Sequence, residues 1–154
     1  MPAESLAPPS GSAYSAAMNM QLAVLCDAAT DDRGKLNLLG AFDTICSQEM
    51  PALHPQCAVA LRVTFTTADE GAHQLKLNFV DADGQNIMPP IEVPVQIVLP
   101  EDTHVGTRNF IFNLQQVRFE SPGLYSVDVT LDDSTAASIP LQVRLLEPPP
   151  VEQA

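Results

Sequence analysis

Tryptophan is absent from this 154-residue chain, and tyrosine and phenylalanine number two and six, so any core must be largely aliphatic. Basic residues are also scarce, seven against nineteen acidic ones, which leaves a formal net charge of -12. Nucleic-acid affinity comes mainly from cationic side chains that release counterions, so this balance argues against DNA, RNA and anionic membranes as partners. Long apolar runs are missing: a polar residue interrupts each well before the roughly eighteen positions of a membrane-spanning helix. The opening MPAESLAPPSGSAYSAAM has neither a cationic start nor a continuous apolar stretch, unlike a secretory signal. Cysteine is limited to Cys26, Cys46 and Cys57, an odd and irregular set that builds no disulfide framework. A reducing cytoplasm is the expected setting, with all three as small buried apolar residues.

What the sequence does have is period-two alternation. Val59, Leu61, Val63 and Phe65 alternate with Ala60, Arg62, Thr64 and Thr66, and Leu75, Leu77 and Phe79 with Lys76 and Asn78. Val93, Val95, Ile97 and Leu99 repeat the pattern, as do Tyr125, Val127, Val129 and Leu131, then Ile139, Leu141, Val143 and Leu145. Such alternation marks antiparallel sheets with one solvated face. Turn chemistry separates the runs: Asp31-Asp32-Arg33-Gly34 between strands 20–27 and 35–46, Asp81-Ala82-Asp83-Gly84, and Asp132-Asp133-Ser134. Pro89-Pro90 interrupts the segment 85–99, and Pro94 demotes its longer part to a sheet edge or bulge. About eight strands joined by short turns predict an all-β, antiparallel sandwich. Residues 1–18, rich in Ala, Ser and Pro, predict a disordered leader, with Met18 and Met20 as alternative starts. Residues 147–154 predict a disordered Pro-rich tail, and residues 19–146 the folded domain.

Two resemblances sharpen this. Pro122-Gly123-Leu124-Tyr125-Ser126-Val127-Asp128-Val129 resembles the late-strand corner of immunoglobulin-like sandwiches, where a tyrosine hydroxyl binds nearby backbone. The Cys…Trp…Cys signature of antibody domains is absent, so the likeness implies the immunoglobulin-like architecture only. More widely, Met20–Asp27, Gly34–Asp43 and Pro122–Tyr125 resemble a family of small bacterial β-sandwich proteins with no assigned activity. That resemblance implies a bacterial source and a sandwich.

No Gly-x-Ser-x-Gly elbow, activated cysteine or phosphate-cradling glycine loop is present, so the chain reads as no enzyme with no built-in cofactor. Cys46, His54 and Cys57 fall around one stretch that Pro51 and Pro55 would stiffen into a crossover. They supply three soft-metal ligands at most, without the paired Cys-x-x-Cys spacing. His73 and His104 lie beside Gly71 and Gly106 and read as solvated turn residues.

The strongest polar pattern is acidic. Alternate loops of an antiparallel sandwich gather at one end, which would bring together Asp27, Asp31, Asp32, Asp69, Glu70, Glu101, Asp102, Asp132 and Asp133. The opposite loops hold Glu49, Asp81, Asp83 and Glu120. Carboxylates on neighbouring loops suit Ca²⁺, with Asp31, Asp32, Asp132 and Asp133 as candidate metal ligands. Turn conformation alone also favours Asp at such places, and the DADG at Asp81 is only a fragment of an EF-hand loop. The leading functional expectation is a non-catalytic protein-interaction or scaffolding module. A weak Ca²⁺ site at the acidic pole and a hydrolase with an undetected carboxylate pair are the alternatives.

Overall fold

The computed structural model describes residues 18–147; apart from Met18 and Glu147, the expected leader and tail lie outside the described residues. Nine strands are present among the described residues, one more than the alternation suggested: β1 (Asn19–Asp32), β2 (Lys35–Phe42), β3 (Thr44–Ser47), β4 (Ala52–Thr66), β5 (Gly71–Val80), β6 (Ile91–Ile97), β7 (Val105–Phe119), β8 (Gly123–Leu131) and β9 (Ser134–Leu145). They form a four-stranded sheet in the order β2-β1-β4-β7 and a five-stranded sheet in the order β3-β9-β8-β5-β6. The expected strand 35–46 is two strands. The chain crosses between the sheets at Asp43, and β3 then pairs parallel to β9, the one parallel ladder among the described residues.

Between the sheets lies an aliphatic core. Leu25, Val59, Leu61, Val63 and Phe65 face Leu75, Leu77, Val127, Val129 and Leu141 across it, all in one buried cluster. A small aromatic group closes one end, with Phe119 edge-on to both Phe79 at 5.8 Å and Tyr125 at 5.0 Å. Tyr125, Val127 and Val129 point inward as their alternation predicts, while Asp128 and Thr130 stay partly exposed on the other face. The Tyr125 hydroxyl donates to the Ser121 carbonyl at 2.6 Å. This is the backbone contact of a tyrosine corner. Pro94 sits exposed on β6, an outer strand of its sheet, where its missing amide costs no ladder bond to a further strand.

The two-faced exception is β4, where Cys57, Ala58, Val59, Ala60 and Leu61 are all buried. Cys57, Val59 and Leu61 belong to the main core, whereas Ala58 and Ala60 join Cys26 in a second cluster on the outer face. Covering that face is the β1–β2 hairpin, whose Ala29 and Leu36 pack on Cys26, Ala58 and Ala60. The hairpin folds back on itself at Asp27 and Gly40: the ladder runs Leu25↔Phe42, Cys26↔Ala41 and resumes at Ala28↔Leu39. Gly40 has φ +69°, and a Cβ there would lie 2.4 Å from the Asp27 Oδ2, so glycine is required twice over. Arg62 on β4 pins the hairpin tip: its Nη1 donates to the Gly34 carbonyl at 2.9 Å and to the Asn109 Oδ1 at 2.8 Å, and its Nε to the Gln21 Oε1 at 2.7 Å.

Candidate functional site

The acidic pole forms only in part. β4, β6 and β8 end, and β5, β7 and β9 begin, on the same side, so Asp69, Glu70, Glu101, Asp102, Asp132 and Asp133 share one end of the sandwich. Asp31 and Asp32 do not join them. Their hairpin lies against the outer face of the four-stranded sheet, where the Asn109 Nδ2 donates to the Asp31 Oδ2 at 2.8 Å. The four candidate ligands are therefore split, Asp31 and Asp32 on one sheet, Asp132 and Asp133 on the other. Among the described residues no group of three or more His, Cys, Asp or Glu side chains is placed to hold a metal ion. The cause is the crossing at Asp43, which adds one strand reversal. β1 therefore starts at the pole and runs away from it, Asn19 pairing with Thr64 and Cys26 with Ala58, and its hairpin then lies back on the outer face beside Arg62 and Asn109.

Turn geometry accounts for both acidic pairs. Arg33 and Gly34 follow Asp32 at φ +55° and +84°, and Asp132 and Asp133 have φ +50° and +68°. Two successive positive φ values make the tight two-residue hairpin that matches strand twist, and Asp tolerates that region better than most side chains. Asp31 also accepts from the Gly34 amide at 2.9 Å, and these contacts with Gly34 and Asn109 hold its carboxyl below the usual carboxylate range. At the pole, Asp69 is 4% exposed and spends its carboxylate capping a single 3-10 turn, accepting from the Thr66 amide at 2.8 Å.

His73 is not the solvated turn residue that its place beside Gly71 predicts. It lies on β5, with its side chain 17% exposed, and its Nδ1 is 2.5 Å from the Asp132 Oδ2 while its Nε2 is 2.5 Å from the Asp69 carbonyl oxygen. Both partners are acceptors, so both ring nitrogens must donate, and only the imidazolium has two N–H groups. The Asp132 bond is the main reason that the His73 pKa is raised; the same bond, aided by the Gln74 amide at 2.8 Å, lowers that of Asp132. The ring lines an open depression of about 320 Å³ together with Met18, Asp69 and Ser134. His73 and Asp132 are 59 positions apart in the sequence, and no local signal links them.

The soft-metal stretch is also rearranged. His54 and Cys57 sit on regular β4 rather than on a crossover loop, Cys57 faces the core, and Cys46 is exposed on β3. Cys46 thus departs from the expected burial, while Cys26 and Cys57 match it as free, buried thiols. Burial pushes the Cys57 thiol up to about 11 and raises that of Cys26, which makes both poor nucleophiles at neutral pH. The His54 Nε2 is buried without a hydrogen-bond partner, beside the Phe42 ring at 5.6 Å.

A different surface stands out once the strand order is known. β7 ends the four-stranded sheet, and among the described residues no strand pairs with its other side. It is fifteen residues long, and Asn109–Val117 carries no charge and no proline. Neither β4 nor β7 holds an acidic residue, and together they hold Arg62, Arg108 and Arg118. In a chain with nineteen acids, that is a marked segregation.

The two packed sheets, the β5-β8-β9 order on one of them and the tyrosine corner at the start of β8 define an immunoglobulin-like sandwich. Val127 stands where antibody domains carry the second cysteine, two residues after the tyrosine. The chain belongs to DUF6941, a family of unknown function, which it matches over residues 21–144. No curated protein matches it. Similar solved structures include an immunoglobulin-like protein from Pseudomonas aeruginosa, 14% identical over 86% of this chain and 100% of that one, with a TM-score of 0.38. The Pseudomonas fluorescens alkylpurine DNA glycosylase AlkC bound to DNA is 10% identical over 84% of this chain, at a TM-score of 0.42. A Listeria innocua β-glucosidase in complex with isofagomine is 13% identical over 68% of this chain, at a TM-score of 0.41. This chain spans 31% of the glycosylase and 15% of the glucosidase, and neither activity transfers to it. Among the described residues no helix is long and apolar enough to cross a membrane.

Proposed function

We propose that this domain is a non-catalytic protein-interaction module whose contact surface is the open edge of β7, and that it works in a reducing bacterial cytoplasm. One observation carries the reading: a fifteen-residue outer strand with nine uncharged residues in its middle. Exposed strand edges present a row of unpaired amides and carbonyls, and proteins ordinarily guard them with short length, proline or charge. The opposite sheet follows that practice, since β6 has seven residues and carries Pro94 and Glu92. β7 carries neither charge nor proline through Asn109–Gln115, up to the irregularity at Gln116 with φ +55°, and this stretch suits strand addition by an extended segment of another protein. The buried free thiols of Cys26 and Cys57 support the reducing setting.

Photo-crosslinking in the native host tests this. A crosslinking amino acid at Asn113 on β7 should capture a discrete protein partner, while the same group at Glu92 on β6 should not. Equal capture from both positions, or from Glu92 alone, overturns the assignment to β7.

A further inference from the structure

Building on the strand-addition reading, we infer that the segment received by β7 is an extended peptide with acidic residues at both ends of an uncharged centre. Seven basic residues serve the whole chain, and five of them, Arg33, Lys35, Arg62, Arg108 and Arg118, lie on the four-stranded sheet or its hairpin. Arg108 and Arg118 bracket the uncharged stretch of β7, ten positions apart, or about 34 Å along an extended strand. The hairpin tip also lies on this side, because the Asn109 Nδ2 on β7 donates to the Gly34 carbonyl at 3.1 Å, but its Arg33 and Lys35 are balanced by Asp31 and Asp32, so the charge at the edge rests on Arg108 and Arg118. The guanidinium of Arg108 lies over the Phe110 ring at 5.2 Å, which fixes its position without consuming its charge. Arg118 meets Glu120 at 2.5 Å, but the two side chains are 60% and 72% exposed, so this contact is weak and exchangeable.

The net charge of -12 works against an acidic ligand at long range. Within a Debye length of about 8 Å, however, the nearest charges dominate: β4 and β7 themselves carry only Arg62, Arg108 and Arg118, which outnumber the adjoining Asp31 and Glu120. The same net charge disfavours a second copy of this chain as occupant. Edge-to-edge pairing of two copies would join two strongly negative bodies and set arginine-bearing strands side by side.

The test uses the full chain labelled for NMR and two synthetic peptides sharing an alternating Thr/Val centre, one flanked by glutamates and one by lysines. At low ionic strength the glutamate-flanked peptide should bind about tenfold more tightly and protect amides of Asn109–Val117 from exchange. R108E combined with R118E should reverse that order, and both sites are exposed, so the fold should survive. Equal affinity of the two peptides for the unaltered protein would overturn the charge requirement while leaving strand addition standing. Protection that falls elsewhere, or no protection at millimolar peptide, would overturn strand addition at β7 itself.

Discussion

Replacing His73 by glutamine should remove most of one step in the pH dependence of stability. The folded protein holds the ring between the Asp132 carboxylate and the Asp69 carbonyl, an arrangement that only the imidazolium satisfies. Those two acceptors come from the β8–β9 turn and the 3-10 turn, the two elements that meet the ring at this end of the sandwich. A histidine whose folded pKa is raised contributes stability that is complete below its unfolded value near 6.5 and is lost as pH rises through the folded value. Asp132, whose folded pKa is lowered, contributes above about 3.9 and loses that contribution as pH falls through its own folded value. The pair is thus fully effective from about pH 4 to 6.5. Charge-assisted bonds are worth about 1.5–3 kcal/mol when shielded, but Asp132 is 48% exposed, and exposed ion pairs are worth about 1 kcal/mol or less. The net contribution should be about 1–2 kcal/mol. Urea unfolding of both proteins at pH 5.5 and pH 9 measures it, with the variant subtracting every contribution the two proteins share. The stability gap between wild type and H73Q should shrink by about 1 kcal/mol at the higher pH. An unchanged gap, or a ring titrating at or below 6.5 by NMR, would refute the doubly donating ring.

Tyr125→Phe removes the hydroxyl bonded to Ser121 and should cost about 1 kcal/mol in chemical denaturation while the fold is kept. Val127→Ala in the core should cost about 1–3 kcal/mol, and Thr130→Ala on the partly exposed face much less; equal losses would contradict the register of β8. Gly40→Ala should destabilise by about 1–2 kcal/mol from its positive φ, plus a clash with Asp27; adding Asp27→Ala should recover only the clash. No recovery in the double variant would mean that the side chain of Asp27 swings aside without cost.

Much of the sandwich was legible because its buried positions alternate with exposed ones. The run from Tyr125 to Leu131 sets the register of β8 from sequence alone, and the tyrosine corner follows from Gly123-Leu124-Tyr125. What alternation conceals is a strand covered on both sides. Ala60 sits where the alternation puts a solvated residue and packs there with Ala58 and the buried Cys26, and their small size is the condition for the hairpin to lie close. The unbroken apolar run Cys57–Leu61 is the signal that would have disclosed it. The unseen crossing at Asp43 also misplaces Asp31 and Asp32, because splitting 35–46 into two strands adds one reversal and sends β1 away from the pole. The His73–Asp132 contact could not be read, since it joins a β5 residue to the turn after β8, and the β5–β8 register is a long-range pairing that local pattern does not encode. Likewise, the open side of β7 follows from strand order, which local patterns do not encode.

The doubled covering of β4 turns the three cysteines into separate reporters of motion. Cys46 is exposed and open to a thiol reagent without any unfolding. Cys26 lies beneath the folded-back hairpin, on a patch of alanines that buries little apolar area, so lifting that hairpin alone would uncover it. Cys57, one position from the Ala58 that pairs with Cys26, faces the main core and is uncovered only when the sheets part. Reagent kinetics would therefore resolve into three rates. The gap between the second and third measures how independently the hairpin breathes from the sandwich beneath it.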